Sequence, residues 1–145
     1  MSVMTSAGST IAISATLPAS ETSGAYAALT FTTIGQITDL GSFGKTYNEV
    51  TFLPLATRAK QKFKGSYDNG SLMLKTAKDK SDAGQVIALA ALASDNAYAF
   101  KVVLQDGTIE YFSGRVMSYN VQVGNTDQIT GADINIGIST NIIEV

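Results

Sequence analysis

The sequence contains no cysteine, no histidine and no tryptophan, and only two prolines. Without cysteine there is neither a disulfide framework nor a thiol nucleophile. Without histidine the commonest general base and the commonest zinc ligand are missing as well. Charge is scarce too: charged residues make up 15% of the chain, against roughly 25% in ordinary soluble proteins. With hydrophobic residues at 45%, that deficit implies surface that is buried against something else. The formal net charge of −2 does not fit a dedicated nucleic-acid or membrane binder. No apolar run approaches the ~20 residues that span a bilayer. "MSVMTSAGSTIAISATLPAS" has neither a basic start nor a continuous apolar stretch, so no signal peptide is expected and synthesis is expected in the cytoplasm.

What is present is alternation. At 145 residues the chain is expected to form one domain with a real core, and period-2 patterning dominates it. "STIAISA" sets Ile11 and Ile13 on one face. The small-residue stretch from Ala15 to Ala28 reads as a mobile loop. "LTFTTIGQITDL" reads as a strand interrupted at Gly35, where a bulge is expected. "KFKGSYDNGSLMLKT" reads as a hairpin turning at Asn69-Gly70, a pair suited to a type I′ turn. One helix is expected over 82–94, with Ser81 as N-cap and Val86, Leu89, Ala90 and Ala93 as its buried stripe, flanked by Ile87 and Leu92. Three further strands follow, "YAFKVVLQ", "IEYFSGRVMSYNVQV" and "DINIGIS", the first two joined by a tight turn at Asp106-Gly107. In the last, Ile134, Ile136 and Ile138 face the core. The fold class is mainly β: a β-sandwich or barrel of seven to eight antiparallel strands with one flanking α-helix.

The segment 41–61, "GSFGKTYNEVTFLPLATRAKQ", resists the pattern, and Pro54 breaks it. A connection of this length is usually functional or disordered. With Phe43, Tyr47, Val50, Phe52, Leu53 and Leu55 it is too apolar for a solvated linker. It reads as an arm that orders on a partner, the alternative being an irregular strand of the same sheet.

Chemistry is hard to find. Asp68-Asn69-Gly70 begins like a calcium loop, but the later oxygen ligands are missing. Asn69-Gly70-Ser71 is formally a glycosylation sequon, and Gly65 to Asp68 leads into no helix as a phosphate loop would. No motif joins the scattered carboxylates, so no catalytic residue, cofactor or metal is expected. The charge distribution says more. Residues 58–80 hold seven of the ten basic residues against Asp68 and Asp79, a local charge of +5, and the rest of the chain sums to −7. Arg58, Lys60, Lys62 and Lys64 alternate, so an extended strand would line them on one face. That face is either a solvated edge protected by lysines or one pole of a molecule that stacks head to tail with its copies.

Taken in order, the N-terminal strand, the small-residue loop, "FTTIGQITDLGSFG", the long arm, "FKGSYDNGSLMLK", the helix, "LQDGTIEYFSGRVMSYNVQVGNTD" and "ITGADINIGIS" resemble the tail tube (major tail) proteins of long, non-contractile-tailed bacteriophages. The resemblance runs from about Ile11 to the C-terminus and is one of pattern and order. It implies a β-sandwich or barrel whose copies form hexameric rings, stacked into a hollow tube through which phage DNA passes without specific binding. It further implies that 41–61 is a loop reaching the neighbouring ring, with Phe43, Tyr47, Val50, Phe52, Leu53 and Leu55 as its contacts. Residues 1–9 and 141–145 would be arms joining rings. The partners it implies are further copies, the tail tip or baseplate and the tape-measure protein, with no membrane, in a virion assembled after synthesis in the host cytoplasm. The immunoglobulin-like domain that some members carry after the core is not expected here.

A lysine-lined channel would hold DNA through its phosphates. The basic face of Arg58, Lys60, Lys62 and Lys64 is therefore expected toward the adjacent ring or the exterior. A neutral to acidic lumen would come from the polar faces of the later strands, with Glu110 and Asp133 as candidates. Two other readings stay open: a further tail component of the same fold, such as a completion or distal-tail protein, and a β-sandwich module that binds a ligand. The second would want an exposed aromatic platform, and the tyrosines are dispersed.

Overall fold

The computed structural model describes residues 3–145, so Met1 and Ser2 of the expected N-terminal arm lie outside the described residues. Among these residues the chain forms β1 (Thr10–Ser14), α1 (Ser23–Ala27), β2 (Thr32–Ile34), β3 (Ile37–Asp39), β4 (Thr46–Phe52), β5 (Gln61–Asp68), β6 (Ser71–Ala77), α2 (Ala83–Leu92), β7 (Tyr98–Val103), β8 (Ile109–Gln122), β9 (Gly131–Ile138) and β10 (Ile143–Glu144). Eight strands make one antiparallel sheet in the order β2-β1-β7-β8-β9-β6-β3, with β10 added beside β8, while β4 and β5 pair only with each other. No helix among the described residues is long and apolar enough to cross a membrane.

The sheet curls because of its two ends. β2 and β3 are separated in sequence by Gly35 and Gln36 alone, yet they occupy opposite ends of the strand order. Three residue steps span at most about 10 Å, whereas seven strands laid flat would part their ends by about 29 Å. The sheet must therefore bend round until its edges nearly meet. The expected bulge at Gly35 is instead a full strand break, with Gln36 at a φ of 59°. Thr76 pins it by donating its hydroxyl to the carbonyls of Gly35 (3.0 Å) and Gln36 (2.9 Å).

Alternation places the core as expected along most strands. Ile11, Ile13, Ile34, Leu72, Leu74, Phe100, Val102, Phe112, Val116, Ile134, Ile136 and Ile138 line the concave face. The helix closes that face with a different side from the one expected. Gly84, Gln85, Ala88 and Ala91 are buried, whereas Val86, Leu89 and Leu92 are exposed. Small residues win the inner side because α2 runs close to the sheet: a Cβ on Gly84 would lie 2.5 Å from the Ile34 Cα. Gln85 is held there by hydrogen bonds, its Nε2 within reach of Gly35 O, Thr76 Oγ1 and Ala77 O while its Oε1 accepts from the Asp79 amide. The N-cap is Asp82 rather than Ser81; its carboxylate accepts from the amides of Gln85 and Gly35, both at 3.0 Å, tying the helix start to the strand break.

Two more expectations are corrected. The stretch 15–28 holds α1, whose Tyr26 is fully buried. That ring packs on the convex face of β7 and β8 with Ala99 and Tyr111, forming a second small core. At Asn69-Gly70 there is a turn but no hairpin. Only Gly70 takes a positive φ, 88°, so the type I′ geometry is absent. β6 already lies between β9 and β3 and has no free edge for β5. The Asp106-Gly107 turn does join β7 to β8, closed by the Gly107 amide donating to Leu104 O at 3.0 Å.

A candidate assembly surface

The expected arm is half of a two-stranded ribbon. β4 pairs with β5 through Thr46–Asp68, Tyr47–Tyr67, Glu49–Lys64, Val50–Phe63, Thr51–Lys62 and Phe52–Gln61. The register shifts between Tyr47 and Glu49, where Gly65 and Ser66 oppose the single residue Asn48. Residues directly opposite each other share a face, so the ribbon has two distinct sides. One carries Val50, Phe52 and Phe63. The other carries Tyr47, Tyr67, Glu49, Lys62 and Lys64. Nearly every residue of both strands is exposed, and an isolated two-stranded ribbon is marginal in water.

On the polar side the tyrosine rings lie 5.4 Å apart. Lys45 Nζ sits 4.3 Å from the Tyr67 ring and Lys64 Nζ 4.8 Å from the Tyr47 ring. Lys62 pairs with Glu49 at 3.6 Å, an exposed contact of little energetic weight. The tip, residues 53–60, turns where the Arg58 amide donates a hydrogen bond to Pro54 O at 3.2 Å, with Arg58 at a φ of 59°. Its leucines face solvent: Leu53 is 60% and Leu55 97% exposed.

The site residues expected from sequence thus separate. Val50, Phe52, Leu53 and Leu55 come together on the apolar side and tip, joined by Phe63, which pairs with Val50 of β4 and not with β6. Tyr47 belongs to the basic side. Phe43 belongs to the core, its ring 5.6 Å from that of Phe112. Lys62 and Lys64 do share a face, but Arg58 and Lys60 precede β5, and the left-handed Arg58 breaks the extended run of four.

The two lumen candidates lie on opposite sides of the sheet. Glu110 stands opposite Val102, so it shares the concave face with the core and sits at its margin, not on a polar face. Burial, then the neighbouring Glu144, raise its pKa. Asp133 is on the convex face, between Lys75 of β6 and Asn120 of β8, and accepts from Gln122 Nε2 at 3.2 Å. At the C-terminus, β10 folds back on its own β8. Among the described residues no group of three or more His, Cys, Asp or Glu side chains could hold a metal ion.

Two exposed apolar surfaces escaped the sequence reading. One is the outer side of α2, with Val86, Leu89 and Leu92; the other is the end of the β8–β9 hairpin, with Val121, Val123 and Ile129. The small-residue spacing Gly84, Ala88, Ala91 was the available signal for the first. An unbroken strand pattern hid the second, because nothing in it shows that β8 ends at Gln122 and leaves Val123 in the connection.

No protein-family model matches the sequence, and no curated protein matches it. Solved structures do. A chain of an extracellular contractile injection system, in the cryo-EM structure of its PVC sheath/tube terminator in the extended state, aligns over 100% of this chain and 98% of its own, with a TM-score of 0.72 at 8% identity. A chain of the anti-feeding prophage baseplate, 6-fold symmetrised, aligns over 100% and 97%, with a TM-score of 0.73 at 8% identity. The SPP1 tail tube aligns over 94% and 75%, with a TM-score of 0.61 at 12% identity. The curled sheet with its flanking helix is therefore a fold found in tail-tube and injection-system assemblies.

Proposed function

We propose that this chain is a non-catalytic structural subunit that assembles with copies of itself into rings, and that the rings stack into a hollow phage tail tube. The observation that carries this is the β4–β5 ribbon, which sets Val50, Phe52, Leu53, Leu55 and Phe63 in solvent. A surface of that kind marks an interaction site, and the low charge content of the chain fits extensive contact between copies. The shared fold supports the same reading, and the 6-fold symmetry of one similar assembly supports six copies per ring. In such a tube phage DNA would pass without specific binding. The basic side of the ribbon, with Lys62 and Lys64, would face a neighbouring ring or the exterior, and Asp133 on the convex face remains a candidate for the lumen. Tail tip and tape-measure proteins would be the other partners, in a virion assembled after synthesis in the host cytoplasm.

Negative-stain electron microscopy of the concentrated protein tests this. Hollow tubes of uniform diameter are expected. A protein that stays monomeric at every concentration, with or without a nucleating tail tip, would sink the proposal. A second reading has its own support, since the likeness to chains of terminator and baseplate assemblies covers the whole of this chain. A component that caps or starts a tube would give single rings that do not stack.

A further inference from the structure

The root of the ribbon and the β8–β9 hairpin end lie at opposite ends of the β6–β9 pair. The β6–β9 register fixes this: Ser71 pairs with Gly137 at one end and Ala77 with Gly131 at the other. The ribbon enters β6 at Ser71, and the β8–β9 connection leaves β9 at Gly131. Six residue steps along a strand separate the two, about 20 Å. A subunit's own ribbon is therefore rooted at the end of the sheet opposite its own hairpin end.

The hairpin end is built to present side chains. Gln128 donates its amide to Asn125 O at 3.1 Å, Asp127 donates to Asn125 Oδ1 at 3.0 Å, and Lys78 donates to Thr130 O at 2.9 Å. These bonds hold the 123–130 connection in one shape with Val123 and Ile129 pointing outward, 65% and 83% exposed. Contact surface that is already ordered loses less entropy on binding. Charge agrees. The ribbon, residues 46–68, carries Arg58, Lys60, Lys62 and Lys64 against Glu49 and Asp68. From Val116 to Val145 there is no basic residue, and Asp127 and Asp133 flank the hairpin end. Lys75 stands opposite Asp133, and the adjoining connector adds Lys78 and Lys80, offset by Asp79 and Asp82, which leaves Asp127 as the hairpin end's unopposed charge.

We infer that the apolar tip of one copy's ribbon docks on the β8–β9 hairpin end of a second copy, with Leu53 and Leu55 meeting Val121, Val123 and Ile129. The contact is heterologous, because the surfaces differ, and it repeats, because each copy carries both of them. It rests on the stacking reading above and names the surface that the ribbon seeks.

The absence of cysteine makes the test clean. Leu55→Cys and Ile129→Cys, both at exposed positions, are prepared separately and mixed under mild oxidation, with Leu89→Cys on the outer side of α2 as the competing target. Assembly is followed in parallel by sedimentation. A disulfide-linked Leu55→Cys/Ile129→Cys dimer in excess of either homodimer supports the contact. Sedimenting assemblies in which Leu55→Cys links instead to Leu89→Cys, or to neither, overturn the contact and leave the stacking reading standing. Neither assembly nor cross-link at any concentration, with or without a nucleating tail tip, overturns both.

Discussion

Glu110 on β8 and Glu144 on β10 stand directly opposite each other, the two last cross-strand partners of a two-residue strand. Like charges in that position are unfavourable, and β10 has few bonds to set against them: Val145 donates to Ile109 O at 2.8 Å and Ile109 to Val145 O at 3.2 Å. Burial and the Glu144 carboxylate hold the Glu110 pKa above its ordinary value of 4.5. A carboxyl group with a raised folded pKa binds its proton more tightly when folded. Its contribution is therefore full below the unfolded value and is lost as pH rises through the folded one. Hydrogen exchange at Ile109 and Val145, corrected for intrinsic rates, should show more protection in mild acid than at neutral pH. Glu144→Gln should remove most of that difference. Equal pH dependence in both proteins would refute the coupling.

Tyr26 is the anchor of the second core. Its hydroxyl lies 2.7 Å from Ser113 Oγ, and its ring stacks on Tyr111 at 5.2 Å. Tyr26→Phe should cost about 1 kcal/mol, the net worth of one buried hydrogen bond. Tyr26→Ala should cost about 3–5 kcal/mol by emptying the site. Urea titration of both variants measures this, and near-equal losses would show that the hydroxyl matters more than the ring.

Gly84→Ala sets two effects against each other. Alanine gains about 1 kcal/mol of helix propensity, but its Cβ meets the Thr33 and Ile34 backbone, and overpacking of that kind costs about 1–3 kcal/mol. Backbone atoms cannot step aside as a side chain can, so the thermal midpoint should fall. A rise would mean that α2 shifts freely on the sheet.

Phe52→Asp and Phe63→Asp lie on the apolar side of the ribbon, where each ring is about half exposed. Both should leave the thermal midpoint within a few degrees of the parent while abolishing sedimenting assemblies. Charge reversal of Lys60, Lys62 and Lys64 should also weaken assembly, in a salt-dependent way. If assembly were intact and DNA passage altered instead, the basic side would face the lumen.

How much of this was legible in the sequence depended on what each signal measures. Alternation reports burial on one face of a strand, and it located Ile11, Ile13, Ile134, Ile136 and Ile138 correctly. It says nothing about partners, so the hairpin drawn at Asn69-Gly70 joined strands that never pair. Hydrophobicity also misdirected the reading of α2, where steric closeness to Ile34 selects small residues inward and leaves Val86, Leu89 and Leu92 outside. A helix whose apolar residues face solvent looks, from sequence, like one turned the other way. Of the candidate contacts in 41–61, Val50, Phe52, Leu53 and Leu55 stayed together because local pattern was enough. Phe43 went to the core through a distant meeting with Phe112 that no local pattern encodes.

β3 and β6 are antiparallel neighbours, so the ribbon is an excursion within the link between two strands already paired without it. The length of that excursion is free to change while the curled sheet keeps its register. Residues added four at a time, two to each strand, would preserve which side chains share a face and extend the reach by about 7 Å per addition. Insertions and deletions here would therefore change how far the apolar tip stands from the sheet, and nothing else in the fold.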